Sequence, residues 1–143
     1  DERLLHARDP VTRRVHDLRQ HPVHLGLGAT AQAQPPFTGM AWYADYARRV
    51  AADGSEGRLV SLHDFTDDWD SWEMHPAGDE LVVCFSGEMT LIQETPDGAF
   101  HSETLVAGQY LINRAGVWHT ASIPEAATAL FITAGEGTEN RPR

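Results

Sequence analysis

The feature that most constrains this chain is a succession of short apolar or alternating runs that begins at Arg58. Turn residues separate the runs, among them Ser86-Gly87 and the tight-turn sequence Pro96 to Gly98. Short runs at near-regular spacing between such turns are typical of an antiparallel sandwich or barrel. The sequence therefore predicts an all-β fold. The predicted strands are RLVSLHDF, DSWEMHP, DELVVCF, EMTLIQE, AFHSETL, QYLIN, VWHTASI and ATALFITA.

The residues before Arg58 have a different pattern. In GMAWYADYARRVAADG, Trp42, Tyr46 and Val50 recur at helical spacing, and Gly54 is placed to end the helix. The preceding segment HPVHLGLGATAQAQPP is expected to be an irregular lead-in, and the first twenty residues a polar loose helix or arm. We expect one domain overall: an arm and helix packing on the barrel over 1–57, the barrel over 58–135 and a C-terminal tail over 136–143.

Composition narrows the class of partner. The formal net charge is −10, and from Leu59 onward three arginines face fourteen acidic residues, so a nucleic-acid partner is not expected. No apolar run is long enough to cross a membrane, and the charged start is unlike a signal peptide, so we expect a cytoplasmic protein. The chain has no lysine, which removes Schiff-base chemistry. Cys84, its only cysteine, is expected to be a small buried hydrophobe.

The segment SWEMHPAGDELVVCFSG places three polar groups within predicted strands. Strand alternation puts Glu73 and His75 on one face, about 6.6 Å apart, and Glu80 opens the next strand after a turn. These three side chains can converge on one ion. Alternation alone favours a different interpretation, in which Trp72 and Met74 face the core and the polar groups are solvated. However, Glu80 begins an uninterrupted apolar strand, which indicates burial on both faces.

A second segment, GQYLINRAGVWHTAS, adds His119 on another short strand, and the two segments together resemble the motifs of the cupin family. The first cupin motif, Gly-x5-His-x-His-x3,4-Glu-x6-Gly, is matched at His75, Glu80 and Gly87. The second, Gly-x5-Pro-x-Gly-x-x-His-x3-Asn, is matched at Gly108, Gly116 and His119. Four motif positions depart from the pattern, and they are occupied by Asp67, Glu73, Arg114 and Ile123.

This resemblance, which covers roughly residues 59–133, implies a jelly-roll barrel (a double-stranded β-helix) in which His75, Glu80 and His119 hold a divalent metal ion. Glu73, in place of the first histidine, is expected either to be a fourth ligand or to accept protons beside the metal. Two histidines with one or two carboxylates favour iron or manganese, while zinc and nickel stay open. Single strand histidines, namely His63 and His101, are alternative members of the site.

Three roles are open for such a site. The first is a metal-dependent enzyme that acts on a small molecule, either oxygenase-like or isomerase-like. The second is a non-catalytic small-molecule-binding module, and the third is a structural metal site. If Glu73 and His75 face inward, Trp72 and Met74 lie outside and need cover from the N-terminal segment or from a second subunit. On this ground, and because jelly-roll cupins often pair through sheet edges, we expect a homodimer.

Overall fold

The computed structural model describes residues 14–143, so most of the predicted N-terminal arm lies outside the described residues. Ten strands, one α-helix and a short 3₁₀ segment make up the described part of the chain. The elements are β1 (Val23–Gly26), β2 (Thr30–Ala33), α1 (Ala41–Arg49), the 3₁₀ segment (Ala51–Glu56), β3 (Arg58–Phe65), β4 (Ser71–Met74), β5 (Glu80–Glu94), β6 (Phe100–Val106), β7 (Tyr110–Asn113), β8 (His119–Ser122), β9 (Ala127–Thr133) and β10 (Glu139–Pro142).

The strands form two antiparallel sheets that share β5, which confirms the all-β prediction. One sheet has the order β2-β1-β3-β9-β5-β7, and the other has the order β10-β4-β8-β5-β6. The N-terminal half of β5 pairs with β9 and β7, and its C-terminal half pairs with β6 and β8. The two predicted strands DELVVCF and EMTLIQE are therefore one long strand that passes from the first sheet into the second.

Gly87 explains why the predicted turn inside this long strand is a bulge. The pairing of β5 with β9 shifts register between Cys84 and Ser86, and Gly87 adopts a φ of 76°. A Cβ atom at Gly87 would lie 2.0 Å from the carbonyl oxygen of Ala126. Glycine is thus needed both for the left-handed conformation and for the close approach of the backbone.

The main core lies between the two sheets. Cys84 is fully buried in it, as predicted, beside residues that include Val82, Met89, Leu91 and Phe131. These side chains point inward because each strand turns alternate residues toward the interior.

The prediction of an irregular lead-in before Phe37 is wrong, because this segment contains the hairpin β1–β2. Strand β1 pairs with β3 and so extends the first sheet. The two strands have only four residues each, and their stability depends on that tertiary pairing, which short-range patterns cannot reveal. The helix was predicted correctly, although α1 stops at Arg49 and the 3₁₀ segment carries the chain to Glu56.

Helix α1 is fixed to the barrel by an apolar cluster and by a buried histidine. Trp42 and Tyr46 of the helix pack with Leu59 of β3. The Tyr46 hydroxyl lies 2.7 Å from His24 Nδ1, and His24 Nε2 lies 2.6 Å from Asp53 Oδ2. Since His24 is almost wholly buried, this hydrogen-bonded chain ties the helix to β1 and to the 3₁₀ segment.

The outer face of β4 was expected to be covered by the N-terminal segment or by a second subunit, but β6 and β10 cover it instead. Trp72 stacks on Phe100 at a centroid distance of 5.4 Å, and the Arg141 guanidinium lies 5.1 Å from the Trp72 ring. Arg141 belongs to β10, which pairs with β4. Residues 136–143, expected to be a tail, thus contain the edge strand of the second sheet. No helix in the part of the chain that the structure describes is long and apolar enough to span a membrane.

Candidate metal centre

The structure brings the four predicted site residues together at one end of the barrel interior. Glu73 of β4 pairs directly with His119 of β8, so the two side chains share a face, and His75 follows β4 by one residue. Ligand atoms of these three residues lie within 4.8 Å of one another. Glu80, the first residue of β5, lies 3.2 Å from the Nε2 atoms of both His75 and His119.

Burial divides the four residues into an inner group and an outer carboxylate. The side chain of His119 is fully buried and those of His75 and Glu80 are only 6% and 4% exposed. The Glu73 side chain is 34% exposed, and its Oε2 atom lies 3.8 Å from His75 Nε2. Glu73 therefore marks the side on which the cluster opens to solvent.

Hydrogen bonds to the Nδ1 atoms fix the tautomers of both imidazoles. His119 Nδ1 lies 3.1 Å from the Val117 carbonyl oxygen, which can only accept, so this nitrogen carries a proton. His75 Nδ1 lies 2.8 Å from Thr138 Oγ1, whose own proton is donated to the Gly135 carbonyl. His75 Nδ1 must then be the donor as well. Each neutral ring consequently presents a lone pair at Nε2.

These two Nε2 atoms are buried and have no hydrogen-bond partner among the described residues. Their lone pairs lie close to the oxygens of Glu80, which are also electron-rich. Lone pairs repel unless a positive charge lies between them, so this arrangement requires either protons on the rings or a cation. A histidine whose Nδ1–H is held by a backbone or side-chain oxygen is the usual form of a metal ligand.

Glu80 is held in place by two donors outside the cluster. Its Oε1 accepts a hydrogen bond of 3.0 Å from Asn113 Nδ2, and its Oε2 accepts one of 2.6 Å from Thr133 Oγ1. Gln93 Nε2 donates to Asn113 Oδ1, which orients the amide so that its NH₂ group faces Glu80. Burial raises the pKa of Glu80, but the imidazoles of His119 and His75, each 3.2 Å from one of its oxygens, lower it by more, so Glu80 remains ionised.

The ionisation of the neighbouring groups follows from the same charges. Burial and the charge of Glu80 raise the pKa of Glu73 above its ordinary value. Burial lowers the pKa of His119, but Glu80 and Glu73 raise it by more, and the net shift is upward. Without a metal the cluster therefore tends to hold protons at Glu73 and His119. A divalent cation would replace these protons and compensate both carboxylates.

Comparisons with solved structures identify the architecture. An oxalate oxidase matches at a TM-score of 0.53 and 15% identity, over 64% of this chain and 50% of that chain. The fold is a cupin barrel. A cupin superfamily protein from Desulfitobacterium hafniense matches at a TM-score of 0.45 and 24% identity, over 53% of this chain and 65% of that chain. A protein from Neisseria meningitidis matches at 0.44 and 20% identity, over 53% of this chain and 72% of that chain.

No protein-family model matches the chain, and no curated protein matches it. The chain spans half the length of the oxalate oxidase chain that shares its fold.

Of the two strand histidines named as alternative members of the site, only His63 faces the interior of the barrel, and Arg114, a departure from the second motif, does not join the site either. Arg114 is exposed and pairs with Asp79 at 3.0 Å, and His101 is exposed and pairs with Glu103 at 2.9 Å. Neither side chain contributes to the cluster. The His63 ring lies 6.0 Å from that of Phe131 on the inner wall.

Several residues that support the cluster were not predicted from the sequence. Asn113 ends β7 on the same face as Glu80, its partner in the register, and a polar residue after an apolar run was a weak signal. Thr133 and Thr138 reach the cluster only through the strand pairing and the C-terminal return of the chain. Burial, followed by the charges of Glu73 and Glu80, raises the pKa of Tyr43 on α1 to about 12, so this phenol stays protonated.

Proposed function

We propose that this chain is a divalent-metal-binding cupin that acts on a small molecule, with His75, Glu80 and His119 as metal ligands. The observation that carries the proposal is the pair of buried Nε2 lone pairs that meet the Glu80 carboxylate without hydrogen bonds. Such a set is costly in a buried site unless a cation compensates it. Two imidazoles and one carboxylate also form the triad that non-haem iron uses.

We propose iron or manganese as the native metal. The cluster offers two nitrogen and two carboxylate ligands and no sulfur, since the chain's one cysteine, Cys84, lies in the apolar core. Oxygen-rich sets of this kind favour Mn²⁺ and Fe²⁺ over copper, although zinc and nickel bind similar ligands when they are more available.

Glu73 is the residue that supports an enzyme rather than a purely structural site. It is the exposed member of the cluster, so a small molecule reaches the site on its side. A metal bound there would act as a Lewis acid toward an oxygen of the substrate. Glu73 is placed to accept or return a proton at the same position. These features fit an oxygenase-like or isomerase-like reaction.

Metal analysis tests the proposal. Protein purified without nickel affinity, both anaerobically and in air, is expected to contain about one divalent metal ion per chain. After chelation, adding the same metal at roughly 100 times its Kd should stabilise the fold by about 2.7 kcal/mol. At roughly 4 °C per kcal/mol for a chain of this size, Tm rises by about 10 °C. His119→Ala should abolish the shift, and the exposed His101→Ala should keep it.

The proposal is contradicted if no divalent metal is retained by the protein and none raises its Tm. Equal shifts in the His119→Ala and His101→Ala variants would also contradict it, because binding would then lie elsewhere. Glu73→Gln separates the two roles of that residue. Metal content that persists in this variant identifies Glu73 as a proton-transfer group, and its loss identifies a fourth ligand.

We further propose that the protein is a homodimer formed through the outer face of the first sheet. Phe85 and Tyr110 are 56% and 62% exposed there. Val83 pairs with both Tyr110 and Leu130, so apolar side chains of three strands adjoin on this face. Light scattering should give about twice 15.8 kDa for the protein and a monomer for Phe85→Glu. A monomer for the unmodified protein would refute the dimer.

A further inference from the structure

Two buried ring nitrogens outside the metal cluster also lack a hydrogen-bond partner among the described residues. They are Nε1 of Trp69 and Nε2 of His63. Buried donors are almost always paired in folded proteins, because an unpaired one loses its hydration and gains nothing in return. Both atoms therefore call for a hydrogen-bond partner that the described residues do not provide.

The rings that carry these atoms lie on the inner wall of the barrel, beside the cluster. The Trp69 centroid is 6.4 Å from that of His119, in a T-shaped contact. Trp69 and His63 each lie 6.0 Å from Phe131. Phe65 adds a further ring, 5.6 Å from Trp69. The wall next to the cluster is thus aromatic and apolar, with its rings tilted toward one another, and it is interrupted by two polar nitrogens.

The chemistry of the two nitrogens restricts what can meet them. An indole N–H can only donate, so the partner of Trp69 must be an acceptor. Burial lowers the pKa of His63, which keeps this ring neutral and able to donate or to accept. A carboxylate has two acceptor oxygens, so one can face a metal in the cluster while the other accepts the Trp69 N–H. Flat ring surfaces favour a flat apolar group on the same ligand.

We propose that the wall formed by Trp69, Phe65, Phe131 and His63 binds a small aromatic carboxylate, with Trp69 Nε1 donating to a carboxylate oxygen. This inference rests on the proposed function, since it places the ligand beside the metal. It gives the substrate class of the site. His63 Nε2 offers a second polar contact on the same wall, where its ring lies 6.0 Å from that of Phe131.

The test uses zinc-loaded protein labelled with ¹⁵N-tryptophan and benzoate as the probe. Zinc is diamagnetic and redox-inert, so indole N–H signals stay visible and no turnover is required. The four tryptophans give four signals, and Trp69→Phe identifies the relevant one by its absence. Benzoate should move the Trp69 signal downfield in a saturable way and leave that of Trp72 on the outer face unchanged. Acetate, which lacks the ring, should need a much higher concentration.

Calorimetry on the same samples measures the hydrogen bond. Trp69→Phe keeps a ring and removes only the N–H, so it should weaken benzoate binding about tenfold, the loss typical of one hydrogen bond. Zinc affinity should not change, and Trp72→Phe should bind benzoate like the unmodified protein. The Tm of each zinc-loaded variant shows whether it is folded, and the signal shift in the unmodified protein does not depend on any variant.

The outcomes separate this inference from the proposed function. A Trp69 signal that stays in place at saturating benzoate overturns the inference, because the donor then faces ordered water. Equal benzoate affinity in Trp69→Phe and in the unmodified protein overturns it too. Acetate acting at the same concentration as benzoate refutes the aromatic class. Failure of the protein to bind zinc or any other divalent metal overturns the proposed function instead.

Discussion

Two threonines on β9 provide a matched test of how the buried carboxylate of the site is stabilised. Thr133 Oγ1 donates to Glu80 at 2.6 Å, and Thr128 Oγ1 donates to Asp64 at 2.5 Å. The two bonds are alike in type and length, and they belong to the same strand. The acceptors differ in burial, because the Glu80 side chain is 4% exposed and that of Asp64 is 55% exposed. Threonine-to-valine substitution removes the hydroxyl at nearly constant volume in both cases.

We expect Thr133→Val to lower the free energy of unfolding of the metal-free protein by about 1.5–3 kcal/mol. This is the range for a hydrogen bond to a charged group, here one that water cannot replace. Thr128→Val should cost no more than about 1 kcal/mol, because water readily hydrates Asp64. At roughly 4 °C per kcal/mol, Tm falls by about 6–12 °C in the first variant and by about 4 °C or less in the second.

The same pair of variants also reports on the metal. If Glu80 is a ligand, loss of the donor that orients it should weaken metal affinity about 10- to 100-fold in Thr133→Val. Thr128→Val should leave the affinity unchanged. Urea unfolding followed by tryptophan fluorescence gives the stabilities, and competition with a chromophoric chelator gives the affinities. Equal stability losses in the two variants would refute the reasoning about burial, and unchanged affinity in Thr133→Val would remove Glu80 from the ligand set.

Three further predictions concern parts of the fold that support the site. Gly87→Ala should lower the free energy of unfolding by several kcal/mol, because the new Cβ would meet the Ala126 carbonyl. Gly98→Ala, at a φ of 85° with open space around it, should lower the free energy of unfolding by only about 1–2 kcal/mol. Chemical denaturation measures both values. His24→Ala should lower the free energy of unfolding by about 2–3 kcal/mol, since it leaves the buried Tyr46 hydroxyl unpaired. A decrease below about 0.5 kcal/mol would contradict a stabilising role for the hydrogen bonds of His24. Burial and Asp53 raise the pKa of Tyr46 to about 12 from 10.0, and Tyr43 has a similarly raised pKa, so the number of phenols that ionise late in an absorbance titration should fall from two to one in Tyr46→Phe. The fold should lose stability as the pH rises between those two values.

Local patterns were sufficient for most of the strands and for the convergence of two of the predicted site residues. All eight predicted runs lie in strands, although two of them belong to the single strand β5, because alternation and turn residues are local properties. The convergence of His75 and Glu80 follows from one hairpin, whereas His119 was linked to them only by resemblance to the cupin motifs. Alternation alone favoured solvated side chains for Glu73 and His75, and the structure places both with His119 in the interior.

Properties that depend on long-range pairing could not be predicted. The roles of Asn113 and Thr133 follow from the register of β5 against β7 and β9, which no local pattern specifies. Strand β10 is short and polar, and it is recognisable only through its pairing with β4. The hairpin β1–β2 lacks a strong apolar alternation and forms as an extension of β3. Ordering each of these segments lowers the conformational entropy of the chain, and only contacts with residues distant in sequence provide the compensating stabilisation.

The position of Glu80 in the first sheet, opposite Glu73 and His119 in the second, has a consequence for the whole barrel. An ion held by these residues would act as a cross-link between the two halves of the sandwich. Its occupancy would then respond to any loosening of the packing between them, including changes made far from the ligands. Metal affinity would therefore report on how tightly the two sheets pack against each other. The metal-loaded protein would be more rigid than the metal-free protein.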